Sequence, residues 1–176
     1  NSSFSNQTKR ISLRGGVFRK IVGGKEVSTA DSAVMNIIII KMAHNPSRVY
    51  YKDSYEEGKR VSPVCWSNDS KKPDVEVRKP QAKSCHTCPN SVRGSGSGGV
   101  GTSCRLSWRV AIVLANDPEG DILELVLPSN SCFGKEEQNK WPFKTYVQML
   151  ADNNVSAGRI VTKMQFDPNS AKPRAL

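Results

Sequence analysis

Four cysteines with metal-ligand spacing lie in the middle of the chain. Cys65, Cys85, Cys88 and Cys104 follow the pattern C-x19-C-x2-C-x15-C. The central pair forms the tight turn CHTCP, and a C-x-x-C separation lets two thiolates bind one ion with little backbone strain. Zn2+ prefers four soft ligands in a tetrahedron, with each sulfur at about 2.3 Å. The four cysteines are therefore predicted to hold a structural Zn2+.

The composition of the segment between the outer cysteines indicates that it needs a metal to order it. It is rich in Lys, Ser, Gly and Pro and has few large apolar side chains, so it cannot bury a core of its own. Two other uses of the cysteines stay open. One is disulfide bonding, although five cysteines leave one unpaired. The other is redox chemistry, although a redox C-x-x-C is expected before a helix and no helix signal follows this one.

Motifs for catalysis are weak. The stretch GSGSGG fits G-x-G-x-x-G, but no strand leads into it and no helix follows. A zinc deaminase needs H-x-E and P-C-x-x-C, and neither His44 nor His86 is followed by x-Glu. Four cysteine ligands would also leave zinc no open position for water. The sequence therefore predicts a protein that is not an enzyme, with His86 near the metal but not a ligand and Cys132 a buried thiol.

Positive charge is concentrated in the first part of the chain. The net charge is +10. Residues 1–110 carry 19 Lys and Arg against 8 Asp and Glu, whereas residues 111–176 carry 7 against 8. One-sided positive charge favours a polyanionic partner, although it can also serve solubility alone. No apolar run approaches the roughly 18 residues of a membrane span, and no signal peptide is visible, so no membrane partner is predicted.

Aromatic and basic side chains interleave in residues 45–55, NPSRVYYKDSY, which contain three of the four tyrosines. Flat rings can stack on unpaired bases and cations can contact phosphates, although tyrosines in a strand can also be ordinary core residues. The predicted nucleic-acid contacts come from this segment and from residues that follow the outer cysteines. They are Arg48, Tyr50, Tyr51, Lys52, Tyr55, Trp66, Arg105 and Arg109.

Hydrophobic periodicity predicts a mainly β fold with one helix. Val34–Met42 is a nine-residue apolar run with four consecutive isoleucines, which indicates a buried strand. Residues 105–114 alternate, and after the turn DPEG the chain returns in a strand over 121–127. Residues 143–153 have helical spacing and follow a proline. Residues 159–166 alternate as a last strand.

This order of elements matches an OB-fold-like Greek-key barrel, which has three strands, a helix and two further strands. We therefore predict a single OB-like domain over residues 15–176, with a zinc-binding insertion at 60–104 between its first two strands. Its fifth strand is expected to be missing or supplied near a terminus. Residues 1–14 are predicted to be a flexible arm and residues 17–27 a hairpin. Connections of OB folds commonly bind single-stranded nucleic acid.

Several motifs of this chain resemble a family of tailed-bacteriophage proteins. They are SRVYYKDSYEEG, PVCWSND, CHTCP, GSGSGGVGTSCRLSWRVAIVL and LPSNSCFGK, with a later TKMQFD. The resemblance covers residues 15–176. It implies an OB-type fold, sequence-tolerant binding of single-stranded DNA, and a cytoplasmic role in phage replication or recombination in an infected bacterial host.

The sequence therefore predicts a non-enzymatic protein that binds single-stranded DNA in a basic groove, with exposed rings stacking on bases. Other phage replication or recombination proteins would be its further partners. The alternative is a phage interaction or transcription-regulating module that uses the same barrel to bind a polymerase or recombinase. A third interpretation, an extracellular disulfide-bonded protein, predicts that no free thiols exist.

Overall fold

The computed structural model describes residues 8–53 and 61–169, which form nine strands and two α-helices. The strands are β1 (Lys9–Ser12), β2 (Arg19–Val22), β3 (Lys25–Thr29), β4 (Val34–Met42), β5 (Ser47–Tyr50), β6 (Cys65–Ser67), β7 (Cys104–Leu114), β8 (Leu123–Pro128) and β9 (Thr162–Gln165). The helices are α1 (Ser129–Cys132) and α2 (Phe143–Asp152). The chain divides into two compact units, which we call the half-barrel unit (Asn1–Met42 and Arg109–Leu176) and the cysteine unit (Ala43–Trp108).

The half-barrel unit is a curled, mixed sheet of seven strands. Their order is β3-β2-β1-β8-β7-β4-β9. Strand β4 pairs antiparallel with β7 along one edge and with β9 along the other. Strand β1 pairs antiparallel with β2 and parallel with β8. The fold is mainly β with one main helix, and its half-barrel is consistent with the OB-like fold that the sequence predicts.

Strand β1 lies inside residues 1–14, the segment that the sequence predicts to be a flexible arm. Ile11 is 5% exposed, and the strand pairs on both of its edges. The ammonium groups of Lys9 and Lys20 lie 2.5 and 3.1 Å from the carboxylate of Asp121. Two backbone ladders, one buried side chain and one ion pair therefore order Lys9–Ser12, and this strand joins β8.

The interior of the half-barrel unit consists mainly of aliphatic side chains that alternate along the strands. Ile37, Ile112 and Leu125 are at most 2% exposed. Helix α2 begins directly after Pro142, as the sequence predicts, and buries Phe143. Within the described part of the chain, no helix has the length and apolar character needed to span a bilayer.

The cysteine unit contains strands β5 and β6 and the first part of β7. Strand β5 is central, with β6 on one side and β7 on the other. The unit begins at Ala43, so it includes β5 as well as the predicted insertion at 60–104. Among its described residues, Val77 is the only buried aliphatic side chain. Most of the long connection between β6 and β7 is irregular.

Candidate nucleic-acid interface and cysteine cluster

The small antiparallel sheet of the cysteine unit carries different side chains on its two faces. Tyr50 of β5 is opposite Cys65 of β6 and Cys104 of β7. Val49, one residue earlier in β5, forms the neighbouring row: it is opposite Trp66 of β6 and Arg105 of β7. Because side chains alternate along a strand, the rows point to opposite sides of the sheet. We call them the cysteine face and the ring face.

All four predicted zinc ligands converge on the cysteine face. Cys65, Cys85, Cys88 and Cys104 line one small cavity, and each is only 7–8% exposed. The outer two come from strands β6 and β7, and the C-x-x-C pair comes from the connection between these strands. The fifth cysteine, Cys132, is buried in α1 of the half-barrel unit. All five are free thiols.

Local hydrogen bonds position the connection that carries the C-x-x-C pair. The carboxylate of Asp69 accepts a bond from the backbone N–H of Lys71 at 2.9 Å and one from the hydroxyl of Ser67 at 3.1 Å. These bonds, the backbone one foremost, hold the pKa of Asp69 below its usual value. The backbone N–H of Cys85 in turn donates to the carbonyl of Lys71 at 2.9 Å. The Asp69 turn therefore helps to fix the position of the Cys85 backbone.

Arg48 lies on the cysteine face, two residues before Tyr50. It lines the cysteine cavity, and its Nε is buried without a hydrogen-bond partner. Burial raises the pKa of the Cys85 and Cys104 thiols, while the positive charge of Arg48 acts in the opposite direction on both. The guanidinium therefore favours the thiolate forms. A half-buried cation whose Nε is buried and unpaired suits a neighbour that carries negative charge.

The donor chemistry fits Zn2+, although the thiols do not stand in a ligand arrangement. Across residues 8–53 and 61–169, no three His, Cys, Asp or Glu side chains are grouped so that they could hold a metal ion. Lining a common cavity is a looser condition than coordination geometry. Four thiols are the right number and type of ligand for a structural Zn2+, and Arg48 would offset part of the negative charge of four thiolates.

Strand register assigns Trp66 and Arg105 to the ring face, although Trp66 also lines the cysteine cavity. The guanidinium of Arg105 lies 5.9 Å from the centre of the Tyr51 ring, within cation–π distance. Arg105 is exposed, whereas Tyr51 and Trp66 are half-buried. A ring packed on one side and accessible on the other can stack on an unpaired base. An exposed cation beside such rings can contact a phosphate.

The other predicted contacts are distributed differently. Arg48 and Tyr50 point to the cysteine face. Lys52 is exposed just after β5. Arg109 is exposed but belongs to the half-barrel unit, and Tyr55 lies outside the described residues. The predicted set is therefore divided between two faces of one sheet and between two units.

A group of exposed cations in the cysteine unit is absent from the sequence-based list of contacts. We call them the loop cations: Lys71, Lys72, Arg78, Lys79, Lys83 and Arg93. The described residues of this unit, 43–53 and 61–108, carry nine Lys and Arg against four Asp and Glu, so their net charge is +5. In the sequence, this group is visible as a run of Lys and Arg between residues 71 and 83. Composition alone, however, indicates only a polar loop there.

Comparison with protein-family models, curated proteins and solved structures finds no match to this chain. The resemblance to a tailed-phage family therefore stays a prediction. The function has to be inferred from the side chains of the two faces and from their charges.

Proposed function

We propose that the protein binds single-stranded DNA without regard to sequence and without catalysing a reaction, and that the ring face of the cysteine unit is its base-binding surface. The observation that carries this proposal is the contact of the exposed Arg105 guanidinium with the half-buried Tyr51 ring at 5.9 Å. Trp66 is on the same side of the sheet by strand register, and a ring beside an exposed cation is a component of a stacking platform. Each stacked base would contribute about 1–3 kcal/mol.

Charge supports the same partner. The described part of the cysteine unit has a net charge of +5, and its six loop cations are exposed. A polyanion that neutralises such cations releases counterions, so its affinity falls steeply as salt is added. The bases would lie on the ring face while phosphates contact Arg105, Lys52 and the loop cations. Arg48 has a different role in this proposal, because its positive charge acts on the Cys85 and Cys104 thiols.

A structural Zn2+ held by the four cysteines is part of the proposal. Four thiolates would occupy the whole tetrahedron, so the metal would cross-link the chain and bind no substrate. Trp66 directly follows Cys65, so a metal bound to that thiolate would fix the backbone that carries the indole. The zinc site and the stacking platform would thus be two sides of one sheet.

The proposed setting is phage DNA replication or recombination in the cytoplasm of an infected bacterium. It follows from the tailed-phage resemblance and is supported by the OB-like half-barrel. In OB folds the connection between the first two strands commonly contacts oligonucleotides. Here the cysteine unit occupies that connection in the chain, between β4 and the second part of β7.

The test is fluorescence anisotropy of labelled oligo-dT and of a matched duplex over a salt series. We expect tight binding to the single strand, weak binding to the duplex and a steep negative salt slope. Trp66→Ala should weaken binding by about 1–3 kcal/mol, whereas Trp66→Phe, which keeps a ring, should lose much less. Equal and weak binding to both DNAs would reject the proposal and favour the interaction module that binds a polymerase or recombinase.

A further inference from the structure

Strand β9 lies at an edge of the half-barrel sheet. It is the last strand of the sheet order, and among the described strands it pairs only with β4. An edge strand carries a row of backbone N–H and C=O groups to which a further strand can pair. The hydrogen bonds around β4 show which residues of β9 carry these groups.

Backbone groups alternate in direction along β4. The N–H of Phe166 donates to the carbonyl of Ala33 at 3.2 Å, so residue 33 bonds towards β9. The N–H of Ala115 donates to the carbonyl of Asn36 at 3.0 Å, so residue 36 bonds towards β7. Hydrogen-bonded positions alternate in an antiparallel sheet, and residues 34 and 36 therefore direct their backbone groups away from β9.

The register of β9 transfers this alternation to its own residues. Lys163 lies opposite Asn36, and Gln165 lies opposite Val34. Both are therefore at positions that do not bond to β4, and their N–H and C=O groups point to the open edge. The side chains of Lys163 and Gln165 are on the face opposite to that of Met164, because side chains alternate as well.

A cavity of about 410 Å³ lies along this edge. The whole strand lines it, from Thr162 to Gln165, although alternate side chains of a strand point to opposite faces. The cavity is therefore bounded by the backbone edge of β9. Its floor is apolar, since Ile37, Leu125 and Met164 line it and are at most 6% exposed.

Residues from 138–146 form the wall that faces β9. The hydroxyls of Tyr146 and Thr162 hydrogen-bond at 2.8 Å, and the ammonium of Lys140 lies 3.7 Å from the carboxylate of Asp167. These two contacts join the wall to the start of β9 and to the residues just after its end. Three aromatic side chains of the wall line the cavity: Trp141, Phe143 and Tyr146.

These features select an extended peptide. Backbone groups at an open sheet edge pair with another strand, and pockets beside the edge take alternate side chains of that strand. The side chains that enter the cavity would be apolar. Those on the other face would lie beside Lys163, an exposed cation, where a directly opposite carboxylate is favourable.

We infer that the open edge of β9 binds an extended segment of a partner protein by strand addition. Alternate apolar side chains of the segment enter the cavity, and the acidic side chains between them lie beside Lys163. The site is built from residues of the half-barrel unit and does not depend on the proposed DNA binding at the ring face.

Fluorescence anisotropy with the labelled peptides SEVEVES, SEEEVVS and SKVKVKS tests the inference. SEVEVES alternates valine with glutamate and should bind with a stoichiometry of one. SEEEVVS has the same composition and charge without the alternation, so it should bind about tenfold or more weakly. SKVKVKS puts lysines beside Lys163 and should bind about threefold or more weakly than SEVEVES. Absence of SEVEVES binding, or equal binding of SEVEVES and SEEEVVS, would overturn the inference.

Amide exchange measured by NMR on the full chain locates the contact. Without peptide, the amides of Lys163 and Gln165 should exchange fast while that of Met164 is protected, and SEVEVES should protect the first two. Slow exchange at Lys163 and Gln165 without peptide would show that the chain already pairs this edge. Protection that grows with protein concentration alone would identify a second copy as the occupant. Either result, or displacement of SEVEVES by oligo-dT, would overturn the inference.

Two substitutions at residue 165 separate the backbone edge from the side chain. Gln165→Pro removes an outward N–H and no hydrogen bond to β4, a position where an edge strand tolerates proline. It should weaken SEVEVES binding by about fivefold or more. Gln165→Ala keeps the N–H and should bind the peptide as the unmodified protein does. Equal affinities of the two variants would overturn the inference.

A matched pair of peptides gives the same test on the unmodified protein. One SEVEVES peptide is N-methylated at its glutamates and the other at its valines. Alternate N–H groups of an added strand point away from β9, so one peptide of the pair should lose binding and the other should keep it. Equal effects of the two methylations would overturn the inference.

Discussion

The two units of this protein are stabilised by different means. In the half-barrel unit, aliphatic side chains of several strands are buried, with Ile112 and Leu125 at most 1% exposed. In the described part of the cysteine unit, Val77 and the four cysteines are the whole set of buried apolar residues. Because burying one large aliphatic side chain contributes about 1.5–3 kcal/mol, the first unit has a core of its own. If the proposed Zn2+ is bound, the stability of the second would depend on it.

This difference indicates where function and folding are coupled. A unit without an aliphatic core can still present an ordered surface if polar turns and a metal restrain its backbone. The Asp69 turn supplies part of that restraint, through its bonds to Ser67 and Lys71. The ring face stands on the same small sheet as the cysteines. Any change at the thiols is therefore expected to affect the proposed DNA-binding surface and to leave the half-barrel core unchanged.

The largest effect is expected from removing a thiol of the cluster. Cys85→Ser should abolish zinc retention, remove hydrogen-exchange protection from residues 61–108 and weaken oligo-dT binding by about ten- to 100-fold, because Trp66 would no longer be held in place. Cys132→Ala is the matched control in the half-barrel unit and should keep both zinc and DNA affinity. Metal analysis, exchange mass spectrometry and anisotropy measure the three quantities. Unchanged protection and affinity in Cys85→Ser would refute the zinc proposal.

A core truncation tests the opposite side of the comparison. Ile112 is 0% exposed, so Ile112→Ala should lower the free energy of unfolding by about 2–5 kcal/mol. Guanidinium unfolding followed by circular dichroism measures this loss. Under native conditions the zinc content and the oligo-dT affinity should equal those of the unmodified protein. A parallel loss of zinc would show that the cysteine unit relies on the half-barrel core after all.

A smaller effect should distinguish the two faces of the cysteine unit. Arg105→Gln removes an exposed cation of the ring face, so the slope of log K against log salt should fall in magnitude by about one. Arg48→Gln should leave that slope unchanged and instead speed the loss of zinc to a chelator, because Arg48 lines the cysteine cavity. Salt-series anisotropy and a chelator-competition assay provide the two readouts. Identical changes in both variants would contradict the assignment of these arginines to different faces.

The smallest effect concerns the ion pairs that join strands β1 and β2 to the rest of the half-barrel. Hydrogen bonds from Lys9 and then Lys20 hold the pKa of Asp121 below its ordinary value of 3.8. A carboxylate whose pKa is lowered on folding stabilises the folded state at pH values above its pKa in the unfolded chain. This contribution disappears as the pH falls through its pKa in the folded state. Asp121→Asn should therefore have a lower melting temperature than the unmodified protein near pH 7, and the difference should shrink as pH falls through the lowered pKa of Asp121. A pH-independent difference would indicate that the charge of Asp121 is irrelevant.

Strongly periodic elements of this chain can be predicted from the sequence. The isoleucine run of β4 and the proline-started helix α2 have their predicted starts, because local pattern and tertiary burial agree there. Lys9–Ser12 has a polar composition that hides the burial of Ile11. Its ladder with β8 joins residues more than 100 positions apart, so the local sequence does not predict this pairing.

The sites show the same limit. Cysteine spacing predicts the residues that converge on the cysteine face. The orientation of Arg48 cannot be predicted in this way, because a four-residue strand does not reveal which of its faces the cysteines will cover.

The pairing of Met42 with Val110 also has a consequence for the rate of folding. Residues 43–109 lie between these partners, so forming the β4–β7 ladder closes a long loop, and the entropic cost of closure grows with the logarithm of its length. A metal that links Cys65 to Cys104 would shorten the effective loop before the ladder forms. Contacts between distant residues slow folding. We therefore expect refolding with zinc to be faster than refolding with a chelator, with the difference confined to the folding limb of the kinetics.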